Sequence, residues 1–213
     1  MDALTLQDTI SRALGRAATI AGTWFDAYRP SGVTNPLASQ NRFLRLNALL
    51  TPDSGNLKAP VGYGHATWSG IFDTAYTQPG DYLVSHAATW FIAAQQKLLP
   101  VLAVKTTRTV SFARAAAPLA PGLNTYGGLT TATAMPLTGL WPASVLAAGG
   151  NAQDAGLPAD GSPGIWTVLL PVIGAVVLRN GDLFTDDLAR SGVVSSAELT
   201  DLGWRLTVKQ ATT

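Results

Sequence analysis

Residues 181–194 of the chain read GDLFTDDLARSGVV, and residues 80–92, GDYLVSHAATWFI, restate that pattern. In each stretch Gly-Asp opens an apolar strand, a polar turn follows and a second apolar strand returns, which is typical of a β-hairpin. The similarity continues through residues 93–105 and 195–209. Because the spacing of matched residues rises only from 101 (182 minus 81) to 104 (209 minus 105), we predict an internal duplication.

The composition indicates a chain with little charge on its surface. Its 213 residues suffice for one large or two small domains, and only 13% of them are charged, against about 25% in an average soluble domain. Centres of protein interfaces are depleted in charge, so we expect neighbouring subunits to cover part of this surface. Fourteen basic and thirteen acidic residues leave a net charge of +1, and without a basic run no phosphate-tracking surface is indicated.

Several classes of protein are excluded or disfavoured by what the sequence lacks. The absence of cysteine excludes disulfides, iron–sulfur clusters, thiolate zinc sites and a cysteine nucleophile. The most apolar run, residues 165–178, is shorter than the roughly 20 residues of a membrane-spanning helix and is interrupted by Pro171 and Gly174, so we predict a buried strand pair. The first residues lack the layout of a signal peptide, and we expect synthesis and assembly in the cytoplasm.

Strand-forming segments dominate the chain after a helical start. We predict a mainly β protein with two antiparallel β-barrel or sandwich-like units, a short N-terminal amphipathic helix and long loops. The N-terminal helical arm covers residues 1–30, the first β unit residues 31–117 and the second residues 118–213, with the linker at residues 118–122.

The N-terminal helix carries apolar residues at steps of three and four. It is either a lid on the chain's own β core or a docking arm for another subunit. Its apolar positions are Leu6, Ile10, Ala13, Leu14, Ala17, Ala18, Ile20 and Ala21.

Catalytic patterns are missing from the sequence. The two histidines, His65 and His86, stand in no helical metal-binding spacing. A triad of His86, Asp81 and Ser69 has no local support, and neither a Gly-x-Ser-x-Gly elbow nor a nucleotide-binding glycine motif is present. We therefore predict no catalytic, cofactor-binding or metal-binding residue and no enzymatic activity.

The adjacent carboxylates Asp186 and Asp187 lack the further oxygen ligands that a cation site needs. Their expected position is a solvated hairpin turn, in which Asp187 can pair with Arg190. We predict a subunit interface that involves this turn and the helix. Its candidate residues are Leu6, Ile10, Leu14, Asp186, Asp187 and Arg190.

The hairpin at residues 181–194 resembles the small β-barrel of tailed-bacteriophage head–tail connector and stopper proteins, in which a Gly-Asp strand, an Asp/Arg-rich turn and a Val-Val strand follow one another. The Ala-rich helix leading into FDAYRP at residues 25–30 is similar to the start of phage virion proteins, as is TWFIAAQQ at residues 89–96. Stopper proteins usually carry one barrel in a shorter chain. Because this chain has two units, a neck adaptor, tail nozzle or tail hub component is a related interpretation.

The resemblance implies a structural component of a tailed-phage virion, assembled as a ring at the head–tail junction or in the tail and contributing to the DNA channel. Its partners would be other copies of itself and portal, adaptor or tail proteins, with DNA passing through without sequence-specific binding and without contact to a membrane. Such families imply no catalytic residues and no cofactors. The alternatives are a receptor- or carbohydrate-binding β module, which needs an exposed aromatic row, and a hydrolase, which needs a pocket joining His86 to a nucleophile.

Overall fold

The structure, a computed structural model, describes residues 3–52, 66–96, 99–115, 134–148 and 164–211. Within these ranges the chain forms one α-helix, α1, at Ala3–Ala21, and thirteen strands. The strands are β1 (Thr23–Tyr28), β2 (Arg42–Pro52), β3 (Thr67–Ile71), β4 (Tyr82–Val84), β5 (Thr89–Ala94), β6 (Val101–Lys105), β7 (Arg108–Arg114), β8 (Met135–Pro136), β9 (Trp141–Ala147), β10 (Ile165–Leu170), β11 (Leu183–Asp186), β12 (Ser191–Thr200) and β13 (Gly203–Gln210). The predicted mainly β fold with a helical start is confirmed.

The strands close into two antiparallel barrels of six strands each. The first has the order β1-β2-β3-β6-β5-β4, and β4 pairs with β1. The second has the order β11-β12-β13-β10-β9-β7, is closed by the pairing of β7 with β11, and carries β8 beside β7. Closure leaves no open edge within either ring of strands.

The two barrels have the same topology, which confirms the predicted duplication. Strands β1 to β6 correspond, in that order, to β7, β9, β10, β11, β12 and β13. With these replacements the first strand order becomes the second, written from its other end. Even the irregularities match, because β5 is bulged between Ile92 and Ala94 and β12 between Val194 and Ser196. The registers put Lys105 opposite Trp90 and Gln210 opposite Gly192, so the spacing of equivalent residues ends at 105 (210 minus 105), one more than the sequence comparison suggests.

Two strands belong to a different unit from the one that the sequence indicates. β1 lies in the predicted helical arm, yet it pairs with β2 and β4 and is one of the strands of the first barrel. β7 lies in the predicted first unit, yet it pairs with β9 and β11 of the second barrel. The chain therefore passes between barrels at Thr106 and Thr107, while the linker predicted at residues 118–122 lies outside the described residues. Both strands close their barrels by pairing with strands far along the chain, which local patterning does not reveal.

The apolar run at residues 165–178 forms one strand instead of the predicted pair. β10 ends at Leu170, and residues 171–178 form turns and irregular backbone. Pro171 cannot donate to a strand ladder, and Gly174 adopts a φ of +45°. Ile173 and Leu178 are nevertheless buried, which accounts for the apolar sequence.

The barrels share one hydrophobic cluster. Tyr82, Phe91 and Val104 of the first barrel belong to the same cluster as Trp141 and Trp204 of the second. The Tyr82 hydroxyl donates a buried hydrogen bond of 2.8 Å to the Pro142 carbonyl, and its ring meets that of Trp141 edge-on. The inside of the first barrel is a separate cluster, which includes Phe25, Phe72, Leu83, Trp90 and Ile92.

The connection between β1 and β2 reaches across to the second barrel. The Val33 carbonyl accepts hydrogen bonds from the Trp141 indole at 3.0 Å and from the Gly139 amide at 2.8 Å. Buried Asn41 holds this connection in shape, since its amide donates to the Asn35 and Pro36 carbonyls. The connection therefore fixes one barrel against the other.

Candidate functional site

The side of α1 that faces the first barrel is narrow. Ala18 is fully buried in the inner cluster of that barrel, and Ser11 lies 3.4 Å from Thr74 through their hydroxyl oxygens. A Cβ atom added at Gly15 would lie 3.1 Å from the Asp73 side chain. The helix thus packs on β2, β3 and the chain just after β3, and it is in part a lid on its own barrel.

The apolar face of α1 is wider than the strip that the barrel covers. Successive helical residues turn by about 100°, which places Leu6, Ala13, Ala17, Ile20 and Ala21 beside the covered strip on one side of the helix. All five are exposed, Ile20 to 88% and Leu6 to 41%. We call these five residues the α1 flank, and it is an uncovered aliphatic surface.

The predicted interface residues of the helix therefore divide between two surroundings. Leu6 lies on the α1 flank, whereas Ile10 and Leu14 are half-buried between the flank and the barrel. Leu6 is therefore more accessible to a partner than Ile10 or Leu14.

Two of the three predicted interface residues of the turn, Asp186 and Arg190, instead hold the turn together. Buried Asp186 accepts hydrogen bonds from the Arg190 side chain at 2.7 and 2.5 Å and from the amides of Leu188 and Arg190. The sequence suggests a pair of Arg190 with Asp187, but in the structure Arg190 pairs with Asp186. Asp186 is the carboxylate that points into the turn, where it also accepts backbone amides. The Arg190 guanidinium also lies 4.8 Å from the centre of the Trp166 ring.

These contacts set the protonation of Asp186. Burial by itself would raise the pKa of its carboxyl group. The hydrogen bonds and charge of Arg190, together with the Leu188 amide, outweigh burial and hold the pKa below its ordinary value. Asp187 is exposed and only approaches Arg108, at 4.0 Å, so it is the member of the pair that remains accessible.

The aspartates of the two Gly-Asp motifs are structural. Asp81 accepts two hydrogen bonds from Arg29, at 2.9 and 2.8 Å, and one from the Gln78 amide. It is 1% exposed, and this set of donors leaves it no role in orienting a histidine. The Gly-Asp repeat is visible in the sequence, but the arginines that bind its aspartates, Arg29 and Arg114, were not predicted. They stand 85 residues apart (114 minus 29), at the ends of the equivalent strands β1 and β7.

The triad of His86, Asp81 and Ser69 does not assemble in the structure. His86 is exposed in the β4–β5 turn, whereas Asp81 is buried at the start of β4, and Ser69 lies within β3. His65 lies outside the described residues. No group of three or more His, Asp or Glu side chains gathers at a metal-binding distance in the ranges that the structure describes.

An open cleft beside β1 combines an aromatic ring with charged and polar side chains. It has a volume of about 600 Å³ and is lined by Trp24, Asp26, Arg45, Ser85 and His86, among others. Trp24 is 59% exposed, and the Arg45 guanidinium lies 5.7 Å from the centre of its ring. Asp26 is held by Arg42 at 2.6 Å and by Arg45 at 3.4 Å, so the cleft presents one aromatic ring beside paired charges.

No protein-family model, curated protein or solved structure matches this chain. Across the described ranges, α1 included, no helix has both the length and the apolar character to cross a bilayer.

Proposed function

We propose that the chain is a structural subunit that assembles with copies of itself through the α1 flank. The observation that carries this proposal is the aliphatic side of α1, on which Ile20 is 88% exposed although the same helix is anchored by buried Ala18. Burying one large aliphatic side chain is worth about 1.5–3 kcal/mol, so a helix that leaves Leu6 and Ile20 in water gains stability when a partner covers them.

The rest of the described molecule fits a scaffold. Two closed barrels share a hydrophobic cluster and are tied together by the β1–β2 connection, which gives a stiff body. Within the described residues seven ion pairs use arginine side chains, and the net charge of the whole sequence is only +1, so there is no large excess of positive charge for gripping phosphate. A near-neutral scaffold is suited to line a conduit through which DNA slides.

The resemblance of the hairpins to tailed-phage connector and stopper proteins supplies the setting. In this proposal the chain forms a ring at the head–tail junction or in the tail of a virion, beside portal, adaptor or tail proteins, and contributes to the DNA channel. It carries out no bond-breaking step, and the proposal assigns it no cofactor.

Light scattering on the purified chain tests the proposal. The wild type is expected to form a multi-subunit particle, and Ile20→Asp, which puts a charge on the α1 flank, is expected to dissociate it. Leu188→Asp is the matched control, because Leu188 is also exposed (53%) but lies in the β11–β12 turn. A wild type that stays monomeric at all concentrations, alone and with virion partners, would exclude the proposal.

The cleft at Trp24 favours the second candidate function, a receptor- or carbohydrate-binding module. Concave sites with an aromatic wall and a few polar groups are the usual places for small ligands. Glycan arrays with the wild type and Trp24→Ala test this candidate. Binding that the substitution abolishes would support it, whereas the absence of bound glycans would leave the assembly proposal alone.

A further inference from the structure

An apolar groove runs along the outer surface where the two barrels meet. Its larger part has a volume of about 230 Å³, and a smaller part of about 100 Å³ continues from it. Both parts share Ala93, Asp201, Leu202 and Gly203, so we treat them as one feature, the seam groove. Its apolar walls come from both barrels and include Phe91, Leu102, Val104, Leu169, Val172 and Trp204.

The seam groove offers aliphatic contact and one free negative charge. Leu202 is 42% exposed and Val172 is 52% exposed, so the apolar walls reach the surface. Of the two charged residues in the lining, Arg205 is bound to Glu198 at 3.0 and 2.5 Å. Exposed Asp201 makes no ion pair within the described residues. The groove therefore suits an aliphatic partner that brings a positive charge.

The helix α1 has this combination of features. Its α1 flank is aliphatic, and exposed Arg12 and Arg16 stand beside it without an ion pair in the described part of the chain. Arg16 and Ile20 are four residues apart, so they are neighbours on the helix surface. Asp8 lies on the polar side of the helix, farther from Ile20.

We propose that the α1 flank of one copy docks into the seam groove of the next copy, with Ile20 among Leu202 and its neighbours and Arg16 facing Asp201. This inference rests on the proposed assembly and names the two surfaces that make it. The helix of the same chain is held on β2 and β3, while β5, β6 and the second barrel form most of the groove, to which β3 contributes only Thr67. Two different surfaces that fit each other join copies head to tail, and such contacts close into a ring when the rotation between copies allows it.

A cysteine cross-link tests the docking, and the absence of native cysteine makes the readout clean. One protein carries Ala17→Cys and a second carries Leu202→Cys, and the two are mixed and oxidised. We expect a covalent heterodimer in several-fold higher yield than in a mixture of Ala17→Cys with Leu188→Cys, because Leu188 is at least as exposed as Leu202 (53% against 42%) but does not line the groove. Equal yields in the two mixtures would overturn the inference.

A charge exchange tests the polar contact separately. Asp201→Arg is expected to weaken association on the order of tenfold, and adding Arg16→Glu to the same chain is expected to restore most of it, because the pair is then reversed rather than lost. Failure of the second substitution to rescue the first would contradict the Arg16–Asp201 pairing.

The outcomes separate this inference from the proposed function. Assembly seen by light scattering without the specific cross-link means that other surfaces join the copies, and the docking proposal falls while the structural role stands. A chain that remains monomeric and does not cross-link excludes both. Binding of a small apolar molecule in the groove that blocks no assembly would assign the groove to a ligand, since cavities of about 150 Å³ can already hold benzene.

Discussion

Arg114 donates two hydrogen bonds to the buried carboxylate of Asp182, at 2.7 and 2.9 Å. Its guanidinium also donates to the Val177 carbonyl, and Asp182 accepts the Arg179 amide. The first barrel contains the same arrangement, in which Arg29 binds Asp81 and the Tyr76 carbonyl. We call each of these arginine–aspartate pairs, Arg29–Asp81 and Arg114–Asp182, a clasp. Each clasp joins the first strand of its barrel to the turn before the fourth strand, which explains why Gly-Asp is the most visible part of the repeat.

The clasps are expected to contribute equally to stability. Asp81→Ala and Asp182→Ala each remove the acceptor of an arginine and of one backbone amide, and we expect each to lower the free energy of unfolding by about 2–3 kcal/mol. Urea denaturation measures this, with Asp187→Ala as an exposed control that changes it by less than about 0.5 kcal/mol. A large loss in one barrel and none in the other would contradict the equivalence of the clasps.

The Asp186 turn predicts a dependence of stability on acid pH. Because the pKa of Asp186 is lowered in the folded chain, its contribution is present above the unfolded-state pKa of about 3.9 and is lost as pH falls through the folded value. The stability advantage of the wild type over Asp186→Asn should therefore shrink as pH falls below about 4. An advantage that stays constant down to pH 2, measured by urea denaturation, would show that the carboxylate charge contributes nothing.

The Tyr82 hydroxyl is expected to hold the barrels together. Tyr82→Phe leaves the Pro142 carbonyl without its donor, at a cost of about 1–3 kcal/mol. Burial raises the pKa of Tyr82 well above its ordinary value, so its contribution is present below about pH 10 and falls as pH rises further. Tyr76→Phe, at a position 68% exposed, is the control for both measurements. Equal alkaline sensitivity in wild type and Tyr82→Phe would contradict this account.

Glycine at the start of each clasp is required by the backbone. Gly80 and Gly181 have φ values of +94° and +90°, and a Cβ atom at either would meet nothing within 4 Å. Replacement by alanine is therefore expected to cost about 1–2 kcal/mol in each barrel, from backbone strain alone. Ala189, with a φ of +58°, is the opposite case, and Ala189→Gly should leave thermal stability unchanged or raised. Loss of stability in Ala189→Gly would refute the strain argument.

The second barrel does not repeat the surface by which the first barrel docks on it. Phe91 and Val104 contribute to the cluster between the barrels, and their equivalents by register are Val193 and Lys209. Lys209 is exposed and carries a charge, so the corresponding face is poorly suited to bury another barrel. The second barrel therefore lacks a copy of this docking surface, and the assembly proposed above uses other surfaces.

The sequence reveals the hairpins because their signals are local. Alternation, turn residues and the Gly-Asp repeat all lie within short windows, and together they predict the β fold and the duplication. The barrel to which β1 or β7 belongs could not be predicted in this way, because each of them pairs with strands that lie far along the chain. The local pattern of each predicts a strand, but it does not predict which strands it pairs with.

The candidate site was only partly predictable for a similar reason. The periodicity of α1 identifies an apolar face, but the division between buried Ala18 and exposed Ile20 depends on how the helix lies on the barrel. Likewise, the adjacent Asp186 and Asp187 look alike in sequence. Burial in the turn distinguishes them, and burial is set by tertiary packing.

Native mass spectrometry of the purified chain tests the central claim, assembly into a closed ring through α1, most directly. The account predicts one discrete multiple of the 22.2 kDa chain that does not change with concentration, and a shift to the single chain in Ile20→Asp. A wild-type spectrum with the 22.2 kDa species alone, or a ladder of all multiples that grows with concentration, would contradict it.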